Sequence, residues 1–282
     1  MTAPALIGIP YDESSSFCRG SAEAPPIIRQ ALFSSASNLW SEKLIDLGKP
    51  GVFEDAGDLA FTSGMDIHEE IHMAITRLLD AGQLPLVLGG DHSITYPILR
   101  AMSRAYPRLS LLQIDAHPDL YEEYQGNRFS HACPFARIME KGWVAQLVQV
   151  GVRTMNKHQQ EQAGRFGVEV ITMASWEAGR RFDLDGPVYV SIDLDAFDPA
   201  FAPGVSHREP GGFSVRDVLS VIQDLAVPMA GADIVEFNPR RDPVGLTALV
   251  CAKLVKELMS KMLIYPTSIE AKQEEENRQD GI

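Results

Sequence analysis

Apolar runs with strand character fall at residues 5–9, 44–47, 84–88, 109–114, 146–151, 168–171, 187–193 and 231–236. Between most of them, at 24–36, 66–81, 93–105, 133–141, 156–166, 214–226 and 244–263, apolar positions recur at helical spacing instead. Strands alternating with helices predict an α/β fold: a mostly parallel sheet with helices on both faces. Such sheets collect ligands beyond the carboxyl ends of their strands. A closed eight-stranded barrel has the same count, but the stretch between 171 and 187 carries no helical pattern, which breaks the repetition a barrel requires. No interior linker divides the chain, so residues 1–265 are expected to form a single domain. Residues 266–282 are polar and acidic, lack an apolar face, and read as a solvated tail.

Composition narrows the partners. With 282 residues, 45% of them hydrophobic, the chain has enough apolar material for a large core. A net charge of -13 argues against a phosphate-backbone partner and suits a small cationic one. Cys18, Cys133 and Cys251 are odd in number and scattered, which reads as reduced thiols in a cytoplasmic protein. The start MTAPALIGIPYD has no basic region and no 18-residue apolar run occurs, so neither a signal peptide nor a membrane span is expected.

The chemistry concentrates where strands stop. The run 109–119, LSLLQIDAHPD, ends by delivering Asp115, His117 and Asp119 on alternate residues, and an extended backbone sends positions i, i+2 and i+4 to one side. Alone, this pattern reads equally well as a polar loop. The device recurs, however: 188–195, VYVSIDLD, ends with Asp193 and Asp195 two apart, and 84–92, LPLVLGGDH, breaks at a glycine pair before His92. Glycines there let the backbone turn sharply and approach closely whatever lies above the strand end. His92, Asp115, His117, Asp119, Asp193 and Asp195 exceed what one tetrahedral zinc needs. They suit two cations about 3.5–4 Å apart that share carboxylates and a water.

Other polar residues have blander readings. Asp55 and Asp58 read as solvated loop acids. His68 and His72, at i and i+4 on a helix, lack a third ligand and read as surface residues. Asp198 reads as a turn-former or an acceptor behind the ligands. Arg153 and Asn156 face either the site or water, and a lone His131 is more often structural than chemical. Glu236, on a buried-type strand, needs a partner: an ion pair or a cationic ligand. The polar loop after the first strand is long enough to be functional.

In their order and spacing, GGDHS at 89–93, DAHPD at 115–119, SIDLDAFDP at 191–199 and EFNP at 236–239 resemble the ureohydrolases, the family of arginase, agmatinase and relatives. GNRFSHACPFARIME and FAPGVSHREPGG look most like the plant-type arginase branch. The resemblance spans nearly the whole chain and implies a three-layer α/β/α fold, an eight-stranded, mostly parallel sheet and two Mn2+ per subunit. One ion would take His92, Asp115, Asp119 and Asp193, the other Asp115, His117, Asp193 and Asp195. It further implies that Asp119 passes a proton to the leaving amine, that His131 shuttles protons, and that Glu236 holds guanidinium nitrogens. Asn127 and His207 fall where the family meets the distal part of its substrate, and Arg128 could offer charge to a carboxylate. Tyr121 and Asn156 stand where animal-type arginases carry an asparagine and an aspartate, a departure from that recognition scheme. The implied reaction is hydrolysis of L-arginine to L-ornithine and urea, with agmatine as the alternative substrate, in a homotrimer or homohexamer. A single-metal deacetylase would not need the double acidic pair, and a nonenzymatic subunit would not keep all six ligands.

Overall fold

A computed structural model describes residues 3–265; the predicted tail at 266–282 lies outside the described residues. The strands are β1 (Pro4–Gly8), β2 (Glu54–Asp58), β3 (Leu84–Leu88), β4 (Ser110–Ile114), β5 (Gln146–Val152), β6 (Glu169–Thr172), β7 (Val188–Asp193) and β8 (Met229–Val235). They form one sheet in the order β2-β1-β3-β8-β7-β4-β5-β6, and every pairing is parallel. The helices are α1 (Ala24–Leu32), α2 (Ile67–Asp80), α3 (Thr95–Ala105), α4 (Pro134–Lys141), α5 (Lys157–Phe166), α6 (Val215–Asp224) and α7 (Leu246–Ile264). Since β2 and β6 are edges, the sheet is open and the barrel alternative is excluded.

Period-2 alternation along the central strands divides the core into two layers. Leu112, Ile114, Val190, Ile192, Ala232 and Ile234 face α1, α6 and α7. Ile7, Val87, Leu111, Leu147, Tyr189 and Val235 face α2, α3 and α4. Each layer buries apolar side chains worth about 1.5–3 kcal/mol apiece.

Two differences from the sequence reading share a cause. The apolar run at 44–47 is no strand; Asp46 makes only an isolated antiparallel bridge with Trp40. The second strand is β2, EDAGD, with all five residues exposed. An edge strand with both faces in water has no hydrophobic alternation to betray it, and its acids discourage pairing with another chain. Asp55 and Asp58 therefore belong to a strand, and both pair with Arg29. His72, expected on a helix surface, is buried, while His68 lies among the rings of Tyr96 and Phe129.

Register sets the position of the site. Ile114 pairs with Ile192, Ile192 with Ile234, and Ile234 with Leu88. The carboxyl ends of β4, β7, β8 and β3 are therefore level and adjacent. Gly90, just past β3, must be glycine, because a Cβ there would stand 1.8 Å from the Tyr11 carbonyl oxygen.

Candidate metal centre

The level strand ends place Asp115, Asp193 and the turn bearing His92 side by side. In the loop after β4, the His117 amide donates to Asp115 Oδ1 at 2.6 Å and Gln113 Nε2 donates to Asp115 Oδ2 at 2.6 Å. Gln149, on the neighbouring strand, donates to Gln113 Oε1 at 2.5 Å and to the Pro118 carbonyl at 2.6 Å. Both turns of the DAHPD segment are thus tied to buried amides on the strands below. After β7, Asp193 Oδ1 accepts the Asp195 amide at 2.8 Å, and Asp195 Oδ1 accepts the Ala116 amide at 3.3 Å, which joins the two acidic loops.

The six ligand candidates converge. His92 Nδ1 lies 3.2 Å from Asp115 Oδ2, 3.1 Å from Asp119 Oδ2 and 3.2 Å from Asp193 Oδ2. His117 Nδ1 lies 3.0 Å from Asp195 Oδ2 and 3.5 Å from Asp115 Oδ1. Two sets able to hold an ion emerge, one of His92, Asp115 and Asp119, the other of Asp115, His117 and Asp195. Within each set the donor atoms lie within 4.8 Å of one another, and Asp115 belongs to both.

Electrostatics shows what the cluster is suited to hold. Burial, then the charges of Asp195 and Asp115, hold Asp193 well above the usual carboxylate range. Burial and the Asp115 charge push Asp119 up to about 6. Asp115 is drawn down: burial works against its charge, but the neighbouring imidazoles of His117 and His92 more than offset it. Meanwhile His92 Nδ1, fully buried among carboxylate oxygens, has no hydrogen-bond partner among the described residues. A lone-pair nitrogen aimed into a knot of mutually repelling carboxylates fits divalent cations, which would satisfy both at once.

Glu236 follows β8. Its backbone is left-handed, φ 63°, as is that of Asp119, φ 50°. The left-handed turn brings the Glu236 carboxylate inward, where Oε1 accepts the His92 amide at 3.0 Å and His131 Nδ1 at 2.8 Å. On its other side, His131 Nε2 meets the Ser16 amide at 3.2 Å and the Ser16 hydroxyl at 2.8 Å. An amide only donates, so the neutral ring carries its proton at Nδ1, toward Glu236. Burial lowers the His131 pKa and the Glu236 charge raises it, with a net rise to about 9; the Ser16 amide works against that proton at Nε2.

A cavity of about 240 Å³ opens onto these groups. His117, Asp119, Asp193, Asp195, His131, Glu236 and His207 line it, together with Ser16, Tyr121, Tyr124, Thr154 and Gln159. Asn127 is elsewhere: its side chain accepts the Phe129 amide at 2.8 Å in a turn that its backbone closes with Tyr124. Arg128 pairs with Glu140 and Glu122. Asn156 caps α5 and donates to the Tyr121 hydroxyl at 2.7 Å. Arg153 faces neither the cavity nor bulk water. Its guanidinium donates to the carbonyls of Asp195, Ala196 and Glu209, among others, and so fixes the loop that carries Asp195 and His207. Asp198 staples the same loop by accepting the Ala200 and Gly211 amides.

Ser16 was not singled out by the sequence. It arrives because Asp91, beside the ligand candidate His92, accepts the Ser14 amide at 2.9 Å and pins the first loop over the site. The loop's length is a sequence signal; which of three consecutive serines reaches His131 is not.

Comparisons with known proteins place the chain among relatives. A family model described as "Arginase family" matches residues 3–260. Arginase 1, mitochondrial, of Arabidopsis thaliana is 45% identical over 280 residues, covering 91% of this chain and 80% of that protein. An agmatinase of Bacillus anthracis is 33% identical, covering 90% of each chain. The arginase structure from Medicago truncatula superposes with a TM-score of 0.87 at 43% identity, covering 93% of this chain and 87% of that one. The cytoplasmic location expected above is overturned by these names, since several plant relatives are called mitochondrial or chloroplastic/mitochondrial and point to an organelle. Unpaired thiols separate reducing from oxidising surroundings, not one reducing compartment from another.

Proposed function

The chain belongs to the arginase family, and on that premise we propose that it hydrolyses L-arginine to L-ornithine and urea at the site above. The observation that carries the reading is the convergence of His92, Asp115, Asp119, Asp193, His117 and Asp195, of which Asp119, Asp193, His117 and Asp195 line one cavity together with a buried Glu236. His92, Asp115, Asp119 and Asp193 would hold one Mn2+, and Asp115, His117, Asp193 and Asp195 a second. Two dications bound there supply a water of lowered pKa and stabilise the negative charge that develops during attack on carbon.

The chain's own residues do the remaining work. Glu236 accepts N–H groups of the guanidinium in charge-assisted hydrogen bonds, which orients the planar carbon toward the Asp/His cluster. His131, bridged between Glu236 and Ser16, exchanges protons between site and solvent. Asp119 takes the hydrogen left on the attacking oxygen and passes it to the departing amine nitrogen as the C–N bond breaks, so that the carbonyl of urea forms and the amine leaves neutral. His207 borders the cavity next to His117 and His131, where the chain of the substrate would pass.

One observation favours agmatine as the second reading. Among the described residues no lysine or arginine lines the cavity, so away from its three histidines an α-carboxylate would meet donors such as Tyr124, Thr154 and Gln159. Agmatine has no carboxylate to satisfy. Steady-state urea release with manganese-loaded protein decides between them. The expected result is a higher kcat/KM for L-arginine, and a tenfold or greater preference for agmatine overturns the assignment. We further propose a homotrimer or homohexamer; sedimentation that finds only monomer defeats that assembly.

A further inference from the structure

Beneath the ligands, the sheet carries polar side chains where its pattern calls for apolar ones. Ser191 on β7 and Asp233 on β8 are paired across the ladder and both are 0% exposed. Ser191 Oγ donates to Asp233 Oδ1 at 2.6 Å, while Asp233 Oδ2 accepts the hydroxyls of Thr95 at 2.9 Å and Tyr189 at 3.0 Å. Ser191 Oγ also lies 2.9 Å from His92 Nε2.

The protons of this chain can be assigned. A carboxylate only accepts, and a hydroxyl has one proton to give. With that proton committed to Asp233, Ser191 offers His92 a lone pair, so the neutral ring carries its proton on Nε2. Nδ1 is then bare, and it is the atom that stands among the oxygens of Asp115, Asp119 and Asp193. The other imidazole is backed differently. His117 Nε2 stands 3.8 Å from Glu209 Oε1, on a partly exposed loop.

Burying a carboxylate this deeply is costly, and an apolar residue would fill the place more cheaply if packing were its only task. We propose that Asp233, acting through Ser191, is a positioning residue that fixes the tautomer and orientation of His92 for a divalent cation. The proposal rests on the metal-centre reading and extends it one layer into the sheet. Groups that hold a ligating histidine from behind commonly change ion affinity about 10–100-fold when removed.

The test uses the full chain, stripped with a chelator and titrated with Mn2+, with dissociation constants and thermal unfolding both recorded. Ser191→Ala and Asp233→Asn are expected to weaken the binding of one ion about 10–100-fold. Ser191→Thr, which keeps the hydroxyl, is expected to restore it. The ion-free unfolding midpoint of Asp233→Asn is expected to stay level or rise, since a buried charge has gone. A purely structural role gives the reverse: a lower ion-free midpoint with unchanged Mn2+ affinity, and that result overturns the proposal. Should Asp233→Asn fail to fold, the Ser191→Ala and Ser191→Thr pair decides alone. Wild-type protein that binds no Mn2+ overturns the metal-centre reading and this inference together, whereas variants that bind as well as wild type overturn only the inference.

Discussion

Asp193→Asn is expected to cut urea release on the order of 10³-fold and to leave the stripped and reloaded protein short of manganese. The substitution keeps shape, and an amide oxygen still accepts the Asp195 N–H that Asp193 Oδ1 holds at 2.8 Å. What disappears is a negative charge 3.2 Å from His92 Nδ1. Charge stabilisation by bound ions is worth several kcal/mol, and each 1.36 kcal/mol is about tenfold in rate. The ion-free protein should fold as well as wild type or better. Asp193 is held well above the usual carboxylate range by burial and by Asp195 and Asp115, so removing its charge relieves repulsion. Metal content measured beside steady-state kinetics checks both halves, and full turnover at full occupancy would end the two-ion reading.

Glu236→Gln is expected to lower kcat/KM on the order of 10³-fold, because uncoupling one member of a buried, hydrogen-bonded charge pair costs about 3–5 kcal/mol. A loss mainly in KM would assign Glu236 to binding, and a loss mainly in kcat to orientation for attack. A second readout comes from stability against pH in the ion-free protein. The carboxylate raises the His131 pKa to about 9 against the opposing effect of burial. The folded state then keeps a proton that the unfolded chain releases near 6.5. Stability from this pair is complete below that value and is lost as pH rises through about 9. The glutamine variant should show a flatter curve across this window by denaturant titration. An unchanged curve would mean that the His131 and Glu236 contact contributes little.

The central strands and the residues at their ends were legible because both obey the same two-residue period. Leu111, Gln113 and Asp115 share one side of β4, with Leu112 and Ile114 on the other, so the pattern that identifies the strand also aims the acids. The polar layer beneath was less legible. Gln113, Gln149, Ser191 and Asp233 sit at the inward parity of buried strands, where each is a lone interruption and only the sheet order shows that they are neighbours. Ser16 could not be read at all, since its position depends on Asp91 gripping a loop more than seventy residues away in sequence. Asn127 lies outside the cavity lining for the opposite reason. Its own turn satisfies it, and short-range geometry won over any role in the cavity.

Asp119 and Glu236 occupy backbone conformations that residues with a Cβ rarely adopt, at φ 50° and 63°. Such conformations cost on the order of 1–3 kcal/mol each. Glycine in place of Asp119 would relax that tension and remove a carboxyl that burial and the Asp115 charge disfavour, whereas at Glu236 it would also break the buried contact with His131. With Asp119 in the role proposed for it, the hardier descendants of this polypeptide would be inert ones, and a laboratory selection that rewarded heat survival alone would steer it toward silence.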